Sequence, residues 1–212
     1  EVGRIAAARD VRPLPVGIAI AAAIPLLVQA HHIRLYTLPL SVAAVAFVAL
    51  LGAAIFVRGV DGRPLTSVAV TVFAALYTGG TLAFAYGLRY HRFTVPVEPA
   101  AGTALLFLPI VLTWASDIGA YFVGRAVGRR KLIPAVSPGK TVEGALGGIV
   151  ATVLGAWLYV AFVLEPFAHL AMRPAAIVLF GVAISVAAQL GDLAESLLKR
   201  EAGVKDSSRL IP

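Results

Sequence analysis

Three carboxylates stand where a carboxylate is costly. Asp117 lies in LTWASDIGAYFVGR, and Asp192 and Glu195 lie in AAQLGDLAESLLKR, both otherwise apolar stretches. An ionised side chain in the middle of a membrane helix costs about 2.5–3.5 kcal/mol on insertion scales, so it faces a partner or a polar cavity. Asp192, Glu195, Ser196 and Lys199 are spaced i, i+3, i+4, i+7 and share one helix face. At about 1.5 Å per residue, Asp192 is roughly 10 Å along the axis from Lys199 and near its helix end. Asp117 precedes Arg125 by eight residues, which gives it a similar depth. Oxygen ligands without cysteine suit Mg²⁺, which takes a few carboxylates plus substrate phosphates. The expectation is a hard-cation site made of Asp192, Glu195 and Asp117. A structural ion pair with an Arg of a neighbouring helix is the plainer alternative for any one of them.

A second group of residues is suited to phosphate. In GRAVGRRKLIPAVSPGKTVEG, Ser137, Lys140 and Thr141 bring two hydroxyls and an ammonium to the start of a helix, whose free N–H groups attract anions. Ser-x-x-Lys-Thr-x-Glu, ending at Glu143, also reads as a helix-capping signal. SPGKT lacks the earlier glycine of a P-loop and is expected to follow no strand, so a Walker-type ATPase is excluded. The tail SLLKREAGVKDSSRLIP adds Lys199, Arg200, Lys205 and Asp206. Gly203 is expected to stop the helix, with a polar turn returning toward the acids. The four histidines are scattered near other loops, which argues against a His-based zinc site.

These residues must be positioned by apolar elements. Of 212 residues, 59% are hydrophobic and 14% charged, against about 25% charged in a soluble domain. That excludes a soluble globular enzyme and a disordered chain. With no cysteine, a disulfide scaffold, Cys-ligated metal and thiol catalysis are excluded as well. Six apolar runs (14–31, 36–57, 65–88, 101–123, 142–164 and 174–198) approach the about 20 residues needed to span a bilayer. The fold class is therefore all-α, a polytopic transmembrane helical bundle with about six spanning helices. Pro25, Pro39 and Pro109 fall inside runs and are read as kinks. Gly144, Gly148, Ala151 and Gly155 are spaced for close helix approach.

The net charge of +7 follows the breaks between runs. With a cytoplasmic N-terminus, 14 of the 18 Lys and Arg residues fall in inside segments, so the positive-inside rule favours that orientation. No nucleic-acid partner is implied. The opening EVGRIAAARDVRP does not read as a cleavable signal peptide, and a start at Glu1 suggests a preceding piece. The whole of 1–212 reads as one integral-membrane domain, hydrophobic helices over 1–113 and a catalytic half over 114–212.

Four ordered segments carry a resemblance. They are Ser116-Asp117-x-Gly119-Ala120-Tyr121-Phe122-x-Gly124-Arg125, Ser137-Pro138-x-Lys140-Thr141-x-Glu143-Gly144, Gly191-Asp192-Leu193-x-Glu195-Ser196, and Ser196-x-Leu198-Lys199-Arg200-x4-Lys205-Asp206-x-Ser208-x2-Ile211-Pro212. Together they resemble the phosphatidate cytidylyltransferase (CDP-diacylglycerol synthase) family. The resemblance implies transfer of a cytidylyl group from CTP to phosphatidic acid, giving CDP-diacylglycerol and pyrophosphate. It further implies a Mg²⁺ cofactor, a homodimer, and a multi-pass protein of the cell (inner or plasma) membrane with its active site on the cytoplasmic side. In this reading Asp192 holds Mg²⁺ with Glu195 and Asp117 as helpers. Ser137, Lys140, Thr141 and Glu143 attend the triphosphate, and Lys199, Arg200, Lys205 and Asp206 are catalytic. The family signature continues past Pro212 with a His-Gly-Gly turn and a further acid that shares the metal site, so the chain is expected to be a fragment. A cation-coupled transporter predicts inverted repeats and polar residues on both sides, and the sequence has neither. A CTP-dependent polyprenol kinase would share the basic loop but not the KR-x4-KD spacing.

Overall fold

The computed structural model describes residues 13–32, 40–58, 62–91, 100–201 and 203. Among them are six helices and one short hairpin, so the fold is all-α. The helices are α1 (Val16–His32), α2 (Leu40–Arg58), α3 (Pro64–Arg89), α4 (Ala101–Val127), α5 (Val142–Ala168) and α6 (Pro174–Glu201). Each coincides with one apolar run of the sequence. A π-turn interrupts α3 at Leu76–Gly80 and α5 at Val160–Leu164, without ending either helix. Pro25 and Pro109 lie within continuous helices, while Pro39 lies outside the described residues. The last four helices are long and apolar enough to cross a membrane; α1 and α2 are shorter. Large apolar side chains such as Phe56, Phe84 and Leu179 point outward, as they do when the solvent is lipid. The chain is an integral membrane protein.

Two compact units divide the chain, one built on α1, α2 and most of α3, the other on Leu88–Arg200. In the first, Leu14, Leu50, Ala54 and Val68 form the core. The Leu14 N–H donates to Thr71 Oγ1 at 2.8 Å, and Thr71 donates in turn to the Ser67 carbonyl at 2.6 Å. An Arg58 guanidinium nitrogen donates to the Pro13 carbonyl at 3.0 Å, which ties the lead-in of α1 to the end of α2.

The second unit is a bundle of α4, α5 and α6. Leu108 and Leu112 of α4, Ala156 and Val160 of α5 and Ile177 of α6 meet in its core. Where α4 and α5 face one another the residues are small. Gly144, Gly148, Thr152 and Ala156 form the buried stripe of α5. Gly119 of α4 lies against Ala151 and the Gly147 backbone, and Gly124 lies against Gly144. Close backbone approach of this kind is how membrane helices associate when lipid offers no hydrophobic drive. On α6 the buried positions Ile177, Gly181 and Ser185 recur every four residues and turn one face to the bundle.

Between α4 and α5 the sequence reading expects a polar loop without strands. The structure instead has an antiparallel hairpin, β1 (Lys131–Ile133) with β2 (Ser137–Thr141). The SPGKT segment is thus itself a strand and follows another. It remains unlike a P-loop, because its backbone is extended rather than wrapped into a phosphate-sized ring. Lys131 opposes Thr141 and Ile133 opposes Ser137, so β2 spends more residues than β1 over the same span and bulges.

The glycine seam predicts a paired result. A Cβ at Gly119 would stand 2.8 Å from the Gly147 carbonyl oxygen and closer still to the Ala151 methyl, whereas one at Gly155 would find ordinary contacts at 3.4 and 3.5 Å. Gly119→Ala should cost about 1–3 kcal/mol, as overpacked sites do, and lower the melting temperature in detergent. Gly155→Ala should melt like the wild type. Equal melting of all three proteins would rule out the seam as the α4–α5 contact.

Candidate active site

At the hairpin end of the bundle, α4, β2, α5 and α6 enclose a cavity of about 530 Å³. Each element contributes for a local reason. Asp117, Tyr121 and Arg125 stand at i, i+4 and i+8 of α4 and line one side. Gly139, Lys140 and Thr141 come from the end of β2. Gln189 and Asp192 continue the face of α6 that packs on the bundle.

The hairpin is fixed from α5. Thr141 is the N-cap, its backbone extended, and its hydroxyl accepts the Gly144 N–H at 3.1 Å. Thr141 belongs to the segment read as a capping signal and is itself buried between β2 and the helix. Glu143 does not reach back to the cap as a capping box would. Its carboxylate accepts the backbone N–H of Arg129 at 3.0 Å and that of Arg130 at 3.2 Å. It thereby ties the chain leaving α4 to the first turn of α5, where a negative charge also suits the helix dipole.

The charged groups in the cavity are mixed. The Lys140 ammonium forms an ion pair with the Asp192 carboxylate, joining β2 to α6. Asp117 faces the same cavity from α4. Arg125 donates to the Tyr121 phenol oxygen at 2.9 Å. Beneath them is a layer of neutral hydrogen bonds. The Gln189 amide nitrogen donates to the Ala145 carbonyl at 3.1 Å and to Ser185 Oγ at 3.0 Å. The hydroxyls of Ser116 and Ser185, both fully buried, are 2.8 Å apart. This chain of bonds joins all three helices directly below the acids.

The sequence-predicted residues separate into groups. Asp117, Asp192, Lys140 and Thr141 line the cavity together. Glu195 does not, so the expected convergence of three acids does not occur. Three residues along a helix turn a side chain by about 60°, and Glu195 instead pairs with Lys199 one turn on, at 2.6 Å. Ser137 and Glu143 lie outside the cavity lining, and so do Lys199 and Arg200. Arg200 Nε reaches the Val136 carbonyl at the hairpin turn, at 3.4 Å. Lys205 and Asp206 lie outside the described residues. Gly203 has φ +71, the left-handed conformation expected just beyond a helix end. Tyr121, Arg125 and Gln189 line the cavity but carry no role in the sequence reading. The signals that mark them are the four-residue spacing from Asp117 and the amide placed three residues before Asp192.

Among the described residues, no group of three or more His, Cys, Asp or Glu side chains is placed to hold a metal ion. The donors present are the two carboxylates of Asp117 and Asp192. They do not make an all-protein cage, but they fit Mg²⁺ as it binds alongside substrate phosphates, through one or two carboxylates.

Fold and site together define an integral membrane protein with a polar cavity carrying both carboxylates and cations at one end of a helical bundle. The chain belongs to the cytidylyltransferase family, whose profile matches residues 1–212. It is 44% identical over 125 residues to the phosphatidate cytidylyltransferase of Haemophilus influenzae, covering 59% of this chain and 42% of that protein. Over 134 residues it is 42% identical to the phosphatidate cytidylyltransferase of Bacillus subtilis (strain 168), covering 62% of this chain and 48% of that protein. A third relative of the same name, from Brucella suis, is 43% identical over 115 residues, covering 54% of this chain and 40% of the relative. The matched stretches thus span less than half the length of these relatives.

If Glu143 is the anchor of the hairpin, its removal should loosen that element alone. In Glu143→Ala, amide hydrogen exchange at 129 and 130 should speed up while the interior of α5 stays protected. Glu143→Gln should fall between the two, because an amide oxygen still accepts but carries no charge. Unchanged exchange at both amides in the alanine variant would remove the anchoring role.

Proposed function

We propose that the intact protein transfers the cytidylyl group of CTP to phosphatidic acid, releasing CDP-diacylglycerol and pyrophosphate. The observation that carries the proposal is the meeting of Lys140, Asp117 and Asp192 in one cavity, in the half of the chain where the family segments lie. A phosphate oxygen of the lipid attacks the α-phosphorus of CTP. The bond from that phosphorus to the oxygen bridging α and β breaks, and pyrophosphate leaves. The attacking phosphate is already anionic, so no strong general base is needed. The demand on the protein is to bring two polyanions together and to stabilise charge on the leaving group.

Lys140 meets that demand by exchanging partners. Its ion pair with Asp192 is part-exposed on both sides, at 29% and 52%, and such pairs contribute only about 0–1 kcal/mol. The ammonium can therefore leave Asp192 for the triphosphate at little cost, and the freed carboxylate joins Asp117. These two carboxylates are the groups that would hold Mg²⁺. Bound there, the ion supplies charge neutralisation on phosphate oxygens. The first turn of α5 borders the same space with its positive dipole end, its Val142 and Gly144 N–H groups being taken up by the Arg130 carbonyl and Thr141 Oγ1. Arg200, at the hairpin turn, adds positive charge near the strand that carries Lys140, while the charge of Lys199 is already met by Glu195. In this reading the protein is a homodimer with six spans and a cytoplasmic active site.

Labelled phosphatidic acid should give labelled CDP-diacylglycerol with CTP and Mg²⁺. Label from the γ-phosphate of CTP should stay out of the lipid; its appearance there would indicate a kinase instead. The partner of Asp192 sets a sharper expectation. Asp192→Asn leaves Lys140 able to reach water, so the melting temperature should hold within the effect of a surface ion pair, about 1 kcal/mol or less. Turnover should fall by several orders of magnitude, since each 1.36 kcal/mol of lost transition-state stabilisation is about tenfold. A variant that melts normally and turns over normally would remove Asp192 from the site.

Orientation is open to direct labelling, because the sequence contains no cysteine to interfere. Single cysteines at Val95 and Ala135 should react with an impermeant reagent from outside and from the cytoplasmic side, respectively. The reverse pattern would invert the topology.

A further inference from the structure

The charged groups of the cavity are not equivalent. Lys140 and Asp192 neutralise one another. Arg125 has a neutral partner, the Tyr121 phenol at 2.9 Å. Among the described residues it enters no ion pair. Asp117 shares its helix face but stands eight residues away, about 12 Å along the axis. The guanidinium thus lines the cavity with its charge unmatched. A guanidinium has five N–H donors in a planar fork that suits phosphate, and the phenol takes up one nitrogen while the other donors remain for a ligand.

Position narrows the ligand. Arg125 is in the last turns of α4 and Lys140 is in β2, so the two cations reach the cavity from different elements. Next to it Tyr121 and Phe122 are 57% and 64% exposed, and their rings meet edge to face at 5.4 Å. Exposed aromatic side chains at the end of a membrane-spanning helix belong at headgroup level. The cavity therefore draws one cation from the hairpin and another from a helix end whose aromatic side chains are exposed.

From this geometry we infer that Arg125, positioned by Tyr121, binds the phosphate of the membrane-borne acceptor and leaves the nucleotide phosphates to Lys140. The inference deepens the proposed function and rests on it for the identity of the acceptor. A charged hydrogen bond is worth about 1.5–3 kcal/mol, so Arg125→Met should raise the KM for phosphatidic acid in mixed micelles about 10- to 100-fold. The KM for CTP should stay within about twofold, a change of under half a kcal/mol. Arg125→Lys should recover part of the loss, because it keeps the charge and gives up the fork. Tyr121→Phe should raise the same lipid KM by a smaller factor.

A rise in the CTP KM instead would assign Arg125 to the nucleotide and overturn the inference, and so would no change in either KM. Should Arg125→Met fail to fold, the lysine and Tyr121→Phe variants decide on the same criterion. Binding without turnover gives an independent reading. Native mass spectrometry of the substrate-free protein should retain phosphatidic acid over diacylglycerol of the same acyl chains, and Arg125→Met should erase that preference. Absence of the preference in the wild type overturns the inference. If the preference exists and is lost in the variant while no cytidylyl transfer is found, the proposed reaction fails and the phosphate site stands.

Discussion

The seam between α4 and α5 is the constraint on which the site depends. Two helices surrounded by lipid gain nothing by hiding apolar surface from each other, so they must gain by contact. Glycines at 119, 124, 144, 147 and 148 remove the side chains that would hold the backbones apart. With the helices so close, Asp117 on α4 and the cap residue Thr141 of α5 border the same small space. A larger residue at any of these positions would move a wall of the cavity, not merely loosen the bundle. Gly128 shows the same economy at the helix end, where Thr141 and the Gly124 carbonyl leave no room for a Cβ.

The third wall is set by polar contacts. Ser185, Gln189 and Asp192 follow one another along the packed face of α6, and they pass from buried hydroxyl to half-buried amide to exposed carboxylate. A buried hydroxyl without a partner is costly, and Ser116 and Ser185 satisfy one another across the helices. Gln189 extends the bonds to the α5 backbone. The register of α6 is therefore specified by hydrogen bonds that tolerate no sliding, whereas its apolar contacts would tolerate some. Asp192 inherits that register, which is why it faces Lys140 and not lipid.

What the sequence disclosed follows from cost. Charges in apolar runs are expensive, so Asp117 and Asp192 stand out and both reach the cavity. The helices are legible for the same reason, each being a run of apolar residues bounded by charge. Glu195 misled because a shared helix face is a broad criterion. The i+4 lysine lies closer to it than the cavity does, and a local ion pair forms first. The hairpin was illegible because nothing in SPGKT favours a strand: it contains proline and glycine, both depleted in strands. Its extended form comes from Thr141 and Glu143, whose side chains bind backbone groups 3 to 14 residues away, and no local pattern encodes that. Arg125 was hidden among five basic residues over 125–140 that a charge rule treats alike.

Mixed charge and partial exposure then acquire a common explanation. A dry, fully buried ion pair would be hard to open, because separating it leaves an uncompensated charge at a cost of about 3–5 kcal/mol. The Lys140–Asp192 pair is wetter than that, with half of the carboxylate side chain exposed. It balances an acid and a base against one another, yet at that exposure it yields readily to a stronger ligand. Arg125 needs no such arrangement, since a guanidinium is weakly hydrated and rests against a phenol at small cost. A cavity that exchanges one cation and holds another ready is suited to two anions arriving by different routes, one from water and one along the membrane surface. The bundle supplies the fixed walls that make the two positions distinct: the hairpin, tied down by Glu143, for the first, and the aromatic end of α4 for the second.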